Sequence, residues 1–534
     1  SRRRHTRFRN VTGVQTCALP ISLLFNGAIY NAFDHKAELE RGGYRFRSAT
    51  DTEVILALYE RHGLEGMLER LDGMFAMVIA DTRRGALHLV RDHFGIKPLY
   101  WTQCGSTVLF ASEAKAFLAH PDFRAEIDRD QVDELLAFRY IAGEASLLKG
   151  VRHVRPGRYV TITPDGVSER RYWTIPDCAE KLPLSSGEAV ERLDDVLRRS
   201  VRSQLQSDVP VGCQLSGGVD SSLVTVMANS AFDCAQARGA FSIVVDHARF
   251  SEERWISEAA SAAGVRSHRF SFGEAAFMDA LDAASWHMDQ PISHPNSLAL
   301  WLLAQQSKKD VTVLLSGEGA DELFAGYGRF AQGPAQAGHY VRTTQFHADS
   351  RLAKLRPEPD LARAIEKRQA LFLEGQADPL SNAVKYEMQT HLVDLLIRQD
   401  KMMMAHGVEN RVPFLGREIV EFARALPAEH LSGKAVVKNL ARRTFEAAFV
   451  DRPKAGFNLP LAQYFRSARF AALMEERLLP GMAARGLVDV AVVRRWWRRA
   501  LSAPATTEGF WTPVALELWA QQFVDMRPCR TPVP

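Results

Sequence analysis

Leu215-Ser216-Gly217-Gly218-Val219-Asp220-Ser221-Ser222 is the stretch on which the reading of this chain turns. The apolar run at 209–215 predicts a strand, and a helical pattern opens at Val219. Glycines between a strand and a helix let the backbone approach an anion closely, and the free N–H groups of the helix start point at it. Ser216, Ser221 and Ser222 add hydroxyl donors, and Asp220 is suited to hold Mg²⁺ bridged to phosphate oxygens. The Gly-Lys-Ser/Thr ending of a Walker loop is absent, which disfavours kinase-like γ-phosphate transfer. The plainer alternative, a glycine-rich turn ahead of a helix, is less specific than this Ser-Gly-Gly-x-Asp-Ser pattern.

A second loop follows another short apolar run, at 311–315: Ser316-Gly317-Glu318-Gly319-Ala320-Asp321-Glu322-Leu323. Three carboxylates within five residues suit Mg²⁺ and a polyphosphate, or a proton transfer by one of them. The bland alternative is a solvated acidic helix start. Two such loops favour an active site, because adjacent parallel strands end on one crevice.

Around these loops, the runs 209–215, 241–245 and 311–315 alternate with helical stretches such as 187–205. This predicts an α/β fold, a doubly wound parallel sheet with helices on both faces, and mostly helix after about 379. Upstream, 23–173 favours short strands and turns. Runs at 75–80 and 86–90 flank the polar turn Asp81-Thr82-Arg83-Arg84-Gly85, further strands are predicted at 107–111 and 158–163, and 52–62 has helical spacing. Residues 176–186, rich in Pro, Ser and charge, read as a linker.

Composition sets the outer bounds. With 534 residues, two or three domains are expected at roughly 100–200 residues each. Hydrophobic content of 46% and charged content of 24% suit a globular chain with a sizeable core. Lys+Arg 67 against Asp+Glu 63 leaves +4, which gives no general argument for nucleic acid or a membrane. The six cysteines include no CxxC pair and no zinc-finger spacing, as in a reducing cytosol, so a cytoplasmic location is expected. Arg494-Arg495-Trp496-Trp497-Arg498-Arg499 reads as a solvated helix face with Trp packed inward rather than a single-strand binder. His93, His153 and His406 read as structural histidines, and Met402-Met403-Met404 as core or pocket wall.

The two loops together resemble the synthetase domain of asparagine synthetases, a branch of the PP-loop ATP pyrophosphatases. Arg398-Gln399-Asp400-Lys401-Met402-Met403-Met404-Ala405-His406-Gly407-Val408-Glu409-Asn410-Arg411-Val412-Pro413-Phe414-Leu415 is similar to that family's third block. Arg452-Pro453-Lys454-Ala455-Gly456-Phe457 is similar to its basic block, with Lys438 preceding it. Upstream, Phe25-Asn26-Gly27-Ala28-Ile29-Tyr30-Asn31, Asp51-Thr52-Glu53 and Arg91-Asp92-His93-Phe94-Gly95-Ile96-Lys97-Pro98-Leu99-Tyr100 resemble the glutaminase domain of class II amidotransferases. That domain is an N-terminal-nucleophile (Ntn) hydrolase, an αββα sandwich, here incomplete. The resemblance implies a glutaminase domain at 23–175 and an adenylating domain at 186–530 with a helical extension.

The resemblance also implies residue roles. Ser216, Gly217, Gly218, Asp220 and Ser221, with Ser316 and Gly317, would hold ATP and pyrophosphate, and Asp220 and Asp321 would hold Mg²⁺. Glu318 would be the acid/base for the attacking nitrogen. Lys454, and after it Lys438, would neutralise phosphate charge, while Leu215, Ile243 and Val244 would face adenine. Asn26 and Gly27 would line an oxyanion hole, and Asp51 would bind the glutamine amino group.

Two departures stand out. The family's nucleophile is an N-terminal cysteine with a free amine; this chain starts with Ser1, and the internal Cys17 is not given that role. Ala28 stands where the family usually has a glutamate. Residues 1–22 are therefore expected to be foreign to the fold, sequencing-adapter material on a truncated gene, and the glutaminase half to be impaired.

The implied reaction converts aspartate, ATP and glutamine or ammonia to asparagine, AMP and pyrophosphate through a β-aspartyl-adenylate. Alternatives are a related amidotransferase, a lactam- or peptide-cyclising synthetase acting on another carboxylate, an ammonia-only synthetase, and an inactive binding paralogue. Expected partners are small molecules (aspartate, glutamine or ammonia, ATP), with no nucleic acid and no membrane. A homodimer is compatible with the reading, and the acyl substrate is not fixed by it.

Overall fold

Phe75, Met77 and Ile79 alternate with Ala76 and Val78, and that alternation sets the layers of the first of two compact units. The computed structural model describes residues 13–16, 21–178, 180–231, 237–332, 336–375, 378–453, 458–502 and 509–526. The units are Ser1–Ala114 with Arg152–Ile175, and Lys115–Val151 with Pro176–Pro534.

In the first unit the strands are β1 (Gly13–Thr16), β2 (Ile21–Ile29), β3 (Gly73–Asp81), β4 (Ala86–Arg91), β5 (Tyr100–Cys104), β6 (Thr107–Ala111), β7 (Arg152–His153), β8 (Arg158–Thr163) and β9 (Gly166–Arg171). They form an antiparallel sheet of order β1-β2-β3-β4-β8-β9 and a three-stranded sheet β6-β5-β7. Successive strand side chains leave on opposite faces. On one face of β3, Phe75, Met77 and Ile79 pack with Leu39 of helix α1 (Ala32–Arg41) and with Val54, Ile55 and Leu58 of helix α2 (Asp51–Arg70). On the other, Ala76 and Val78 pack with Leu99 and Trp101, backed by Val108 and Phe110 of the small sheet. The layers run helix, sheet, sheet. Among the described residues, this unit contributes no second helix layer to the expected αββα sandwich. The polar turn between β3 and β4 is tied by the Asp81 carboxylate, which accepts from the Arg83 N–H at 3.0 Å and the Tyr59 hydroxyl at 3.1 Å.

Part of the stretch expected to be foreign takes part in this sheet. Residues 13–16 pair antiparallel with 22–25, and Ile21, which starts β2, is 3% exposed. Helix α2 also runs beyond the predicted 52–62, to Arg70, because Gly63 at φ 71° lets the chain bend and continue.

The second unit is not a clean cut at the linker, since Lys115–Val151 belongs to it. Helix α3 (Val132–Phe138) explains why. Its Glu134 accepts from the buried Arg368 at 2.9 Å and also pairs with Lys367, while Asp133 pairs with Arg356. Removing one member of such a buried pair costs about 3–5 kcal/mol. The linker is docked as well: the Lys181 ammonium donates to the Arg424 carbonyl and the Leu182 N–H to the Ala425 carbonyl, both at 2.8 Å. Helix α4 (Ser186–Gln204) then starts on a capping box between Ser185 and Glu188.

The parallel sheet of this unit comprises β10 (Val211–Gln214), β11 (Ala237–Val245), β12 (Ser267–Phe272), β13 (Val313–Leu315) and β14 (Glu409–Arg411), in the order β12-β11-β10-β13-β14. Every neighbouring pair is parallel. The chain moves outward from β10 to β12, then returns to place β13 on the other side of β10. The order thus reverses between β10 and β13, and open α/β sheets bind ligands at such a switch point. Helix α5 (Val219–Ala231) follows β10. Edge strand β14 is a non-helical element within the C-terminal part predicted to be mostly helical: its Glu-Asn-Arg sequence carries no strand signal, yet all three residues are buried. Arg411 makes this tolerable by donating to Glu409 at 2.8 Å and to the carbonyls of Gln204 and Gln206.

Beyond β14 the described residues to Phe523 form helices joined by short turns. Trp497 is buried and donates to the Phe465 carbonyl, while Arg494 pairs with Glu475 on the surface. Among the described residues, no helix is long and apolar enough to cross a membrane.

Candidate active site

Parallel pairing of Val211–Cys213 with Val313–Leu315 brings the two loops side by side at the carboxyl ends of β10 and β13. The contact is close. A Cβ on Gly317 would fall 2.5 Å from the Ser221 nitrogen and 2.7 Å from the Asp220 carbonyl carbon, so only glycine fits there. In the first loop, Gly217 has φ 83°. The Ser216 and Ser221 hydroxyls share a hydrogen bond of 3.0 Å, and Ser216 Oγ accepts from the Gly218 N–H at 3.3 Å. The Ser222 hydroxyl donates back to the Gly218 carbonyl at 2.7 Å and is fully buried. Ser222 is thus a structural tie. The first-turn N–H groups of α5, which have no partner inside the helix, start at this loop.

A cavity of about 570 Å³ opens over both loops. Of the residues singled out from sequence, Leu215, Ser216, Gly218, Asp220, Ser221, Ile243, Ser316, Gly317, Glu318, Asp321 and Lys438 line it. Gly217 is not among the lining residues; it turns behind the loop, where its Cβ position faces the Ile256 nitrogen at 3.1 Å. Val244 is also not among them; on β11 the lining residues are Phe241, Ser242 and Ile243. Lys454 lies outside the described residues.

The titratable groups of the cavity come from seven separate segments of the chain. The Lys434 ammonium bonds to Asp220 and, at 3.2 Å, to Asp321, joining the two loops. Burial works against this ammonium, but the two carboxylates outweigh it and hold its pKa above the ordinary lysine range. The Arg452 guanidinium donates to the Gly217 carbonyl at 2.6 Å and lies over the Trp255 ring, 4.4 Å from its centroid. Glu252 sits 3.9 Å from it; burial pushes this carboxyl up to about 7 against the pull of Arg452. Further in, Glu318 lies 3.7 Å from Arg398, which also donates to Asn296 at 3.2 Å. Buried Glu322 accepts from the Tyr327 hydroxyl. Burial pushes the Glu322 carboxyl up to about 8, and the neighbouring Asp321 and Glu318 charges add to the rise. His294 and His391 complete this end, both held well below the usual histidine range, mainly by burial and then by nearby arginines. From sequence, Arg398 and Arg452 stand out only as parts of blocks, and Lys434 does not stand out at all. A lysine in a Ser-Gly-Lys turn carries no local signal, and only the tertiary fold shows its two partners.

In the first unit, Asn26 donates to the Ser112 hydroxyl at 3.1 Å, and the Asp51 carboxylate accepts from the Ile29 N–H at 3.0 Å. Asn26, Gly27 and Asp51 therefore gather at one end of β2. Gly27, at φ 152°, presses on β3, since a Cβ there would collide with the Met74 carbonyl oxygen. The block from Arg91 to Tyr100 behaves differently. The fully buried Asp92 carboxylate accepts from the N–H groups of Phe94, Ile96 and Lys97 at 2.9–3.0 Å and of Phe75 at 3.2 Å. Arg91 donates to the carbonyls of Gly95, Lys97 and Val154. His93 is packed against Phe75, Tyr172 and Trp173.

Comparison with known proteins bears on the family of the chain. The asparagine synthase family matches residues 192–521, and the glutamine amidotransferase domain family matches residues 14–173. Asparagine synthetase (glutamine-hydrolyzing) 1 of Bacillus subtilis strain 168 is 32% identical over 495 residues, covering 83% of this chain and 77% of that protein. Asparagine synthetase (glutamine-hydrolyzing) 3 of the same organism is 31% identical over 454 residues, covering 80% of this chain and 73% of that protein. With paired loops at the switch point of a parallel sheet and a family match over more than half its length, the chain belongs to the asparagine synthase family.

Proposed function

We propose that this chain forms amides at the expense of ATP, converting aspartate to asparagine with release of AMP and pyrophosphate. The observation that carries the reading is the contact between Gly317 and the Asp220–Ser221 backbone, which places two anion-suited loops on one cavity. The chemical difficulty is that a carboxylate must approach an anionic α-phosphate. Helix α5 N–H groups, the Ser216 and Ser221 hydroxyls, Lys438 and Lys454 bind and orient the phosphates in this reading, lowering that repulsion. Leu215 and Ile243 provide the apolar wall for the base. Glu318 accepts the proton that the attacking nitrogen must lose as it joins the β-aspartyl-adenylate, and Arg398 beside it orients that carboxylate.

Asp220 and Asp321 converge on one point, as their common partner Lys434 shows, and this suits Mg²⁺. Mg²⁺ is usually held by one or two carboxylates plus substrate phosphates rather than by an all-protein cage. Consistently, no cluster of three His, Cys, Asp or Glu ligands occurs among the described residues. When bound, the ion would neutralise phosphate charge.

The glutaminase half, residues 23–175 in this reading, supplies nitrogen less well than free ammonia does. Ala28 offers only a methyl group between Gly27 and Ile29, where a carboxylate would hold glutamine. A cytoplasmic location fits the free thiols of Cys104, Cys178 and Cys213. The test is pyrophosphate release from ATP over a panel of carboxylic acids, with ammonia or glutamine supplied. Aspartate with ammonia should give the fastest release, and Glu318→Ala should cut asparagine formation by about 100-fold or more. Release with no acid at all would overturn the ligase reading, and faster release with another acid would move it to a related synthetase.

A further inference from the structure

Lys434 stands where three segments meet. It belongs neither to the Ser216–Ser222 loop nor to the Ser316–Leu323 loop, but to a turn at 432–434 between two short helices. Gly433 and Lys434 both adopt left-handed backbone, at φ 61° and 62°, which for lysine is an uncommon conformation. That turn aims the side chain across Gly326, where a Cβ would fall 2.5 Å from Lys434 Cδ and would collide with Asp321 Oδ1. Gly326 thus leaves the space through which the ammonium reaches Asp220 and Asp321. The lysine side chain is 9% exposed and each aspartate 18%, so the group is largely shielded from water. Two carboxylates held this close repel each other unless a cation lies between them.

We propose that Lys434 is a positioning residue that stands in for the divalent cation: its ammonium holds Asp220 and Asp321 together until a cation carried by the nucleotide takes its place. The identity of that carrier rests on the functional reading above. The consequence is an ordered site. A divalent cation arriving alone has to displace a buried ammonium from two carboxylates with nothing to compensate the lysine. One arriving on a polyphosphate brings new acceptors to which Lys434 can turn. Free cation is therefore bound weakly and the cation–nucleotide complex well, so the loops stay pre-aligned without trapping metal.

The experiment is a Mn²⁺ titration of the full chain without nucleotide, followed by electron paramagnetic resonance, for the unaltered protein, K434M and K434R. K434M should bind Mn²⁺ at least 10-fold more tightly than the unaltered protein, and K434R should not gain. Thermal unfolding gives a second readout: K434M should melt lower than the unaltered protein, and Mn²⁺ should restore it while leaving the unaltered protein unmoved. A purely packing role would lower the melting temperature without raising Mn²⁺ affinity, and that result overturns the proposal. If K434M does not fold without metal, Mn²⁺ should rescue it, and failure of rescue also overturns the proposal. Neither readout uses ATP or an acid substrate. A gain of Mn²⁺ affinity in K434M, together with no pyrophosphate release by the unaltered protein, would defeat the functional reading and leave the lysine–cation exchange standing.

Discussion

Asp92 and Asp220 each come shortly after a strand, Asp92 in a glycine-containing turn and Asp220 at the start of the helix that a glycine loop opens, yet the two regions use their charge in opposite ways. Asp92 is fully buried, and its oxygens are taken by four backbone N–H groups of the first unit. Asp220 lines a cavity of about 570 Å³ and shares with Asp321 a lysine side chain from a distant segment. In the first turn the polar groups are satisfied by the chain itself, so the motif is a buckle. In the second they converge on open space and leave room for a ligand. A sequence block that resembles a functional motif can therefore be a structural one, and the difference lies in where its polar atoms find partners.

Four substitutions probe this contrast. Asp220→Asn should have the largest effect, lowering pyrophosphate release by roughly 10²–10³-fold, far more than the loss of stability from weakening its pair with Lys434 accounts for. A D220N protein that unfolded easily but turned over normally would invert the contrast. Asp92→Ala should do the opposite. It strands several buried N–H groups at about 1–3 kcal/mol each, so urea unfolding should show a loss of at least about 3 kcal/mol. Ammonia-dependent pyrophosphate release by the folded fraction should persist.

Glu322 gives a smaller effect, and one that depends on pH. Its carboxyl rises from an unfolded value near 4.5 to about 8, so the folded chain keeps a proton that the unfolded chain has released between those values. Its contribution to stability is thus complete below about 4.5 and is lost as pH rises through about 8. The slope from this group is at most about 1.4 kcal/mol per pH unit. Glu322→Gln should flatten the fall in melting temperature between pH 5 and 8. An unchanged slope would mean that Glu322 does not carry the proton. Smallest of all, Arg494→Ala removes only an exposed pair with Glu475 and should change stability by less than about 0.5 kcal/mol.

The parallel sheet was legible where the chain is apolar. The runs at 209–215, 241–245 and 311–315 correspond to β10, the end of β11 and β13, because a strand covered on both faces must be apolar almost throughout. Strand β14 was not legible, since Glu409 and Arg411 are charged residues whose burial is matched by pairing with each other and, for Arg411, with distant carbonyls. The allegiance of 115–151 to the second unit was hidden for the same reason: it rests on Glu134 and Asp133 meeting arginines more than 200 positions away. In the candidate site, the strand–loop–helix pattern located both loops and their acids. Lys434 escaped notice because nothing within several residues of it hints at two aspartates from elsewhere. Gly217 and Val244 belong to motifs that reach the cavity without lining it themselves; backbone direction turns Gly217 away, and the part of β11 that lines the cavity ends at Ile243.

The tie from Arg452 to the Gly217 carbonyl has a consequence for synthesis on the ribosome. Strands β10 to β14 have all emerged once residue 411 is free, so the sheet can assemble while the nascent chain is still growing. The loop after β10, however, gets its clasp only when Arg452 appears, 235 positions later. A chain stalled between those points would carry a finished sheet and an unlatched loop. Competence for nucleotide is thus acquired later than the sheet that carries it.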